Sequence, residues 1–120
     1  MIQRPKTIFL DIDGTIVEHT EQISSQVSET PNLLKGTIET LTEWDRKGYN
    51  IILTTGRRES TRKITEEQLS KLGIFYDQLI MGIGGGIRVL INDRKKDKNY
   101  DTCLSINLDR NQGIESLKNL

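Results

Sequence analysis

Two short apolar runs, each ending on a polar residue and each followed by a segment of helical periodicity, constrain this chain more than any other feature. Thr7-Ile8-Phe9-Leu10 runs into Asp11, and Tyr49-Asn50-Ile51-Ile52-Leu53-Thr54 ends at Thr55-Gly56-Arg57. Short apolar runs of this kind read as buried strands. From Pro31 onward, Leu34, Ile38, Leu41 and Trp44 recur at spacings of four, three and three, which predicts a helix opened by Pro31 with one apolar face. Gly48 supplies its C-terminal stop. A second helix is expected after a Ser60 or Thr61 cap, with Ile64, Leu69 and Leu72 inward and Gly73 at its end. Strand, helix, strand, helix at these lengths specifies a parallel sheet covered by helices.

The rhythm then changes. Gln78-Leu79-Ile80-Met81 and Ile87-Arg88-Val89-Leu90-Ile91 both read as strands, with only Gly82-Ile83-Gly84-Gly85-Gly86 between them. A parallel crossover needs a dozen or more residues. The two runs are therefore expected either to pair antiparallel or to leave the first outside the sheet. A last strand is expected around Thr102–Ile106 and a short helix from about Ile114, while the polar stretch between Gly14 and Pro31 reads as a loop or short flap. With 120 residues and no internal repeat or linker, residues 1–120 read as one domain. One Cys excludes a disulfide framework and multi-cysteine metal sites. Seventeen Lys+Arg against seventeen Asp+Glu argue against a nucleic-acid-coating or membrane-surface protein. No apolar stretch approaches the roughly 18 residues of a membrane span, and the first residues lack the apolar run of a signal peptide. A soluble, cytoplasmic protein is the expectation.

The chemistry concentrates in Asp11-Ile12-Asp13-Gly14-Thr15. Two carboxylates flank one residue at the carboxyl end of a buried strand, where ligands of open α/β sheets bind. Two such anions repel unless a cation or a shared proton relieves them, and a hard divalent ion such as Mg2+ would do so well. Gly14 lets the chain turn sharply. Other features carry less. The glycine run fits neither G-x-G-x-x-G nor a P-loop, and it precedes a strand rather than a helix. It reads as a tight, flexible connection near the site. Arg94-Lys95-Lys96-Asp97-Lys98 reads as a solvated loop, His19 as exposed, Cys103 as a buried small hydrophobe on a strand, and Trp44 as core.

Asp11-Ile12-Asp13-Gly14-Thr15 after an N-terminal apolar strand resembles motif I of the haloacid dehalogenase-like (HAD) superfamily of phosphotransferases. Ile51–Arg57 resembles its motif II, with Thr55 as the residue that hydrogen-bonds the phosphoryl group. Gly56, Arg57 and Arg58 then stand where an anionic substrate would be met, Arg being suited to bidentate oxyanion contact. Val89-Leu90-Ile91-Asn92-Asp93-Arg94 is similar to motif IV, with Asn92 where many relatives carry the first Asp. The resemblance implies a three-layer α/β/α, Rossmann-like core with a mainly parallel sheet. It implies Asp11 as nucleophile, Asp13 as acid and base, and Mg2+ held by Asp11, the backbone carbonyl of Asp13 and Asp93, with Asn92 beside them. The motif III Lys has no counterpart: Ile83 stands at the corresponding place, and Arg88, Lys95, Lys96 or a neighbouring subunit would have to substitute. No inserted cap domain fits between the motifs, so bulky substrates or oligomer neighbours acting as lids are implied.

The pattern is similar to small phosphatases of capsule and surface-polysaccharide gene clusters. It also resembles the phosphatase domain of polynucleotide kinase-phosphatases, through Thr55-Gly56-Arg57, Glu66-Glu67 and Gly73-Ile74-Phe75-Tyr76-Asp77. Three expectations follow: a Mg2+-dependent phosphatase of a small metabolite such as a sugar phosphate, a nucleotide or nucleic-acid-end phosphatase, or a weak or inactive binding module. Zero net charge counts against the second, and nucleic acid is not an expected partner.

Overall fold

The computed structural model describes residues 4–20 and 29–120. Residues 21–28, in the middle of the expected flap, lie outside that description. Three strands form one sheet in the order β1-β2-β3: β1 is Thr7–Asp11, β2 Asn50–Thr54 and β3 Gln78–Ile80. Helix α1, Thr37–Arg46, crosses from β1 to β2, and α2, Arg62–Lys71, crosses from β2 to β3. Both pairings are parallel, with Ile8 opposite Ile51, Leu10 opposite Leu53, and Leu53 opposite Leu79. The expected α/β core with a parallel sheet is what the chain builds.

Register decides where the core lies. Directly opposite residues of neighbouring strands share a face, so Ile8, Leu10, Ile51, Leu53 and Leu79 point the same way. Leu41 and Trp44 of α1 and Leu69 of α2 join them in one cluster, completed by Ile12, Ile16, Val17, Ile74 and Ile114. Successive right-handed crossovers that advance in one direction lay their helices on one side of a sheet. On the other face Phe9 and Ile80 remain 54% and 40% exposed.

The ends of α1 show why it is shorter than its apolar spacing suggests. Gly36, at φ 82°, is its N-cap, and the preceding residues are drawn into another job. Leu34 N–H donates to the Ile16 carbonyl, and the Thr37 hydroxyl donates to the carbonyls of Ile16 and Leu34. Residues 31–35 are thereby committed to bracing the loop after β1, and the helix begins at Thr37, not at Pro31. Its end follows the sequence: Gly48 has φ 79° and donates to the Asp45 carbonyl. Trp44 is fully buried, and its indole N–H reaches the Leu117 carbonyl at 3.1 Å. That bond seats the C-terminal turn, Glu115–Leu117, which is a single 3-10 turn where a short helix was expected.

The largest departure follows β3. Gln78–Ile80 is a sheet strand parallel to β2, whereas Ile87–Ile91 forms no strand, so neither sequence alternative holds. Gly82 and Gly84 adopt φ 73° and 80°, and this left-handed path carries the chain off the sheet edge. Ile87, Val89, Leu90 and Ile91 lie 96%, 77%, 57% and 88% exposed. Thr102–Ile106 is likewise not a strand, and Cys103 is only half-buried on an irregular segment. Periodicity marked these residues as strand-forming, but a strand needs a partner edge, and the chain leaves the sheet before one is reached.

Candidate active site

The site is assembled at the carboxyl ends of β1 and β2. Register places Asp11, the last residue of β1, opposite Thr54, the last of β2, so Asp11 to Asp13 and Thr55 to Arg57 leave the sheet side by side. After β1 the chain folds tightly on itself. The N–H groups of Thr15, Ile16 and Val17 converge on the Ile12 carbonyl at 3.2, 3.0 and 3.2 Å, while Gly14, at φ 86°, donates to the Val17 carbonyl. Ile12, Ile16 and Val17 are buried, which pins the loop and leaves the acidic residues on either side of Ile12 at its rim.

Asp11 is only partly open to solvent at the strand end and accepts from the Thr15 hydroxyl at 3.4 Å. Its carboxyl is held above the usual carboxylate range. Loss of water is the main cause and repulsion from Asp13 adds to it; a backbone hydrogen bond from Ile12, the Arg88 charge and the Thr15 hydroxyl pull the other way.

Asp13 has a different partner. Arg57 grips both of its oxygens, Nε to Oδ2 at 2.9 Å and Nη2 to Oδ1 at 2.8 Å. The two side chains are 5% and 13% exposed. Nη1 of Arg57 donates to the Thr65 hydroxyl and to the Gln68 amide oxygen at 3.1 and 2.7 Å. Four of its five guanidinium N–H groups are therefore engaged inside the protein. Sequence pattern placed Arg57 against the substrate; its geometry instead makes it a positioning residue for Asp13. Thr65 and Gln68, which sequence reasoning missed, are polar positions on the inward face of α2, and both are buried. A polar pair inward on a helix three residues apart is the signal that points to such a partner.

Thr55 is buried, and its Oγ accepts the Arg57 backbone N–H at 3.1 Å, which leaves its own O–H to donate. Gly56 is exposed and lies against the glycine run: a Cβ there would sit 2.8 Å from the Gly84 carbonyl oxygen. That run is tied down, Gly82 N–H to the Arg57 carbonyl at 2.7 Å and Ile83 N–H to the Thr55 carbonyl at 3.3 Å. The glycine run thus belongs to the site wall. Arg58 is exposed, with no side-chain partner among the described residues. On the opposite rim, Asn111, at φ 64°, donates its N–H to the Gly14 carbonyl and accepts the His19 N–H through its side chain. His19, expected to be exposed, is half-buried there, with Nδ1 shielded from solvent.

The metal set that motif resemblance assigned is not gathered. Among the described residues no three His, Cys, Asp or Glu side chains come together as a cation site. Asp93 and Asn92 lie exposed on the segment after the glycine run. The Asn92 amide donates to the Thr102 side chain at 3.1 Å, and the Thr102 hydroxyl donates to the Asp93 carbonyl. Asp93 stands elsewhere and both Asp13 side-chain oxygens are committed to Arg57, so of the implied set only the Asp11 carboxylate and the Asp13 backbone carbonyl are together at the end of β1.

A family model of haloacid dehalogenase-like hydrolases matches residues 8–105. No curated protein is significantly similar to the chain. Among solved structures, a chain of the Pnkp1/Rnl/Hen1 complex superposes with a TM-score of 0.58 at 29% identity, over 78% of this chain and 31% of its own length. This chain therefore spans about a third of that relative. A Vibrio cholerae protein aligns at TM-score 0.51 and 23% identity, over 73% and 79% of the two chains. The D,D-heptose 1,7-bisphosphate phosphatase of B. bronchiseptica, complexed with magnesium and phosphate, aligns at TM-score 0.51 and 18% identity, over 67% and 51%. The last two likenesses speak to the fold. With the acidic pair at the end of β1 and a family match over most of its length, this chain belongs to the haloacid dehalogenase-like hydrolases.

Proposed function

We propose that the protein is a phosphomonoester hydrolase in which Asp11 is the nucleophile, and that its substrate is a small phosphorylated metabolite such as a sugar phosphate. The observation that carries the reading is the meeting of Asp11, Asp13 and Thr55 where two parallel strands end side by side. A carboxylate at such a strand end is open to attack phosphorus. An Asp11 oxygen forms the new bond to phosphorus as the ester P–O bond breaks, and the leaving oxygen takes up a proton. Water then cleaves the aspartyl-phosphate, releasing orthophosphate and restoring Asp11. Asp13 would carry that proton in both directions, exchanging one of its two Arg57 contacts for the reacting oxygen. The free O–H of Thr55 would bind the phosphoryl group.

Mg2+ is the cofactor we propose, supported by family membership and by the magnesium-bound neighbour. Asp11, the Asp13 backbone carbonyl and Asp93 would hold the ion, and since Asp93 stands apart from the other two here, no step above runs through it. Phosphorylated nucleic-acid ends form the second substrate class. The 29% likeness to the Pnkp1/Rnl/Hen1 chain favours it, and the zero net charge opposes it.

Hydrolysis of p-nitrophenyl phosphate, with and without Mg2+, by wild type and Asp11→Asn tests the reading. Turnover abolished by the substitution is expected. Undiminished turnover would remove Asp11 as nucleophile, and none in wild type would make the chain a binding module. Sugar phosphates assayed against 3′-phosphorylated oligonucleotides separate the two substrate classes.

A further inference from the structure

We propose that Arg88 is the anion-binding cation of this site, its guanidinium meeting the transferring phosphoryl group beside Asp11. The inference rests on the phosphatase reading and adds a residue to it.

The chemistry requires such a group, because an anionic carboxylate and an anionic phosphate monoester must approach each other. Arg57 does not serve, being committed to Asp13, Thr65 and Gln68. Lys95 and Lys96 lie exposed further along the segment. Arg88 is brought in by the glycine run. That run is tied by backbone bonds to Thr55 and Arg57, and its Gly84 carbonyl packs on Gly56 at a distance only a missing Cβ permits. Four residues beyond Gly84, Nη2 of Arg88 stands 3.9 Å from the place a Gly56 Cβ would take. Its Nη1 donates to the Gly86 carbonyl, which fixes the fork against its own turn. No other acceptor for its N–H groups lies among the described residues. A planar fork with one arm anchored and the remaining N–H groups free suits bidentate contact with phosphate oxygens. Gly56 is then more than a turn residue: its lack of a side chain opens the gap that the fork and the phosphoryl group share.

The test measures p-nitrophenyl phosphate kinetics, inhibition by orthophosphate, and orthophosphate binding by titration calorimetry. The proteins are wild type, Arg88→Gln, Arg88→Lys and Arg94→Gln. Arg94 pairs with Asp101 on the same segment and serves as the charge control. Arg88→Gln is expected to lower kcat/KM about 100-fold, mainly through kcat, and to weaken orthophosphate binding about tenfold. Arg88→Lys should recover part of each loss, and Arg94→Gln should match wild type. Wild-type kinetics and phosphate affinity in Arg88→Gln would overturn the proposal while leaving the nucleophile reading intact. Should Asp11→Asn retain turnover, the phosphatase reading fails separately. Calorimetry then decides on Arg88: phosphate binding lost in Arg88→Gln supports it, and binding unchanged or absent in wild type refutes it.

Discussion

Removing the Arg57 guanidinium should cost this protein much of its stability before it costs anything catalytic. In Arg57→Met the apolar stem is kept and four buried hydrogen bonds are lost, two to Asp13 and one each to Thr65 and Gln68. The Asp13 side chain is 13% exposed, so its charge would be left largely out of water with no counterion. Breaking one side of a buried ion pair costs roughly 3–5 kcal/mol. The Thr65 hydroxyl adds to this, while Gln68 keeps its bond to the Glu29 carbonyl. Taking about 4 kcal/mol, and an unfolding entropy of roughly 2.1 cal/mol/K per residue, a chain of 120 residues should lose about 15 °C in Tm. Asp13→Leu alone leaves Arg57 buried and unpaired and should cost a similar amount. The double variant removes both charges, so its loss should fall short of the sum by about 2 kcal/mol or more. Thermal unfolding followed by circular dichroism on the four proteins measures the cycle. A Tm for Arg57→Met within about 4 °C of wild type, or a coupling below about 0.5 kcal/mol, would refute the buried pair as an organising element.

Three further outcomes are expected. Because burial raises the Asp11 carboxyl, ionising it opposes folding: the penalty is absent while both states are protonated and complete once pH has passed the folded-state value. Asp11→Asn should therefore be more stable than wild type at pH 7, the difference closing as pH falls below about 4; a variant less stable at neutral pH would contradict that sign. Gly56→Ala would set a Cβ 2.8 Å from the Gly84 oxygen. It should lower kcat/KM by roughly 10–100-fold with little change in Tm, since the displaced run is exposed; unchanged kinetics would exclude the glycine run from the site. Finally, the exposed apolar stretch Ile87–Ile91 should drive concentration-dependent association. Replacing Val89 and Ile91 together by Lys should lower light scattering at high concentration, and equal scattering would show that the stretch does not self-associate.

What could be read from the residues alone was local. Apolar runs ending at Asp11 and Thr55, with a helix between them, left little choice but a parallel βαβ unit, because short-range spacing encodes both the strands and the helix face. The acidic pair was legible for the same reason: its chemistry lies in two residues one apart. Gly48 and Gly73 could be read as helix stops because a left-handed φ is a property of one residue; both have it, at 79° and 75°.

The partnership of Arg57 was not legible. Its contacts span 44 residues to Asp13 and eleven to Gln68, and an Arg after a strand end reads equally well as facing substrate. The helix start at Thr37 rather than Pro31 was set by bonds to Ile16, on another segment. The fate of Ile87–Ile91 was the same kind of question: strand propensity belongs to the residues, but a strand exists only where an edge accepts its hydrogen bonds. Sequence determined which pieces this protein has and which carboxylates it offers. Tertiary structure alone decided which charges neutralise one another and which are left unpaired, because that depends on distances between segments far apart in the chain.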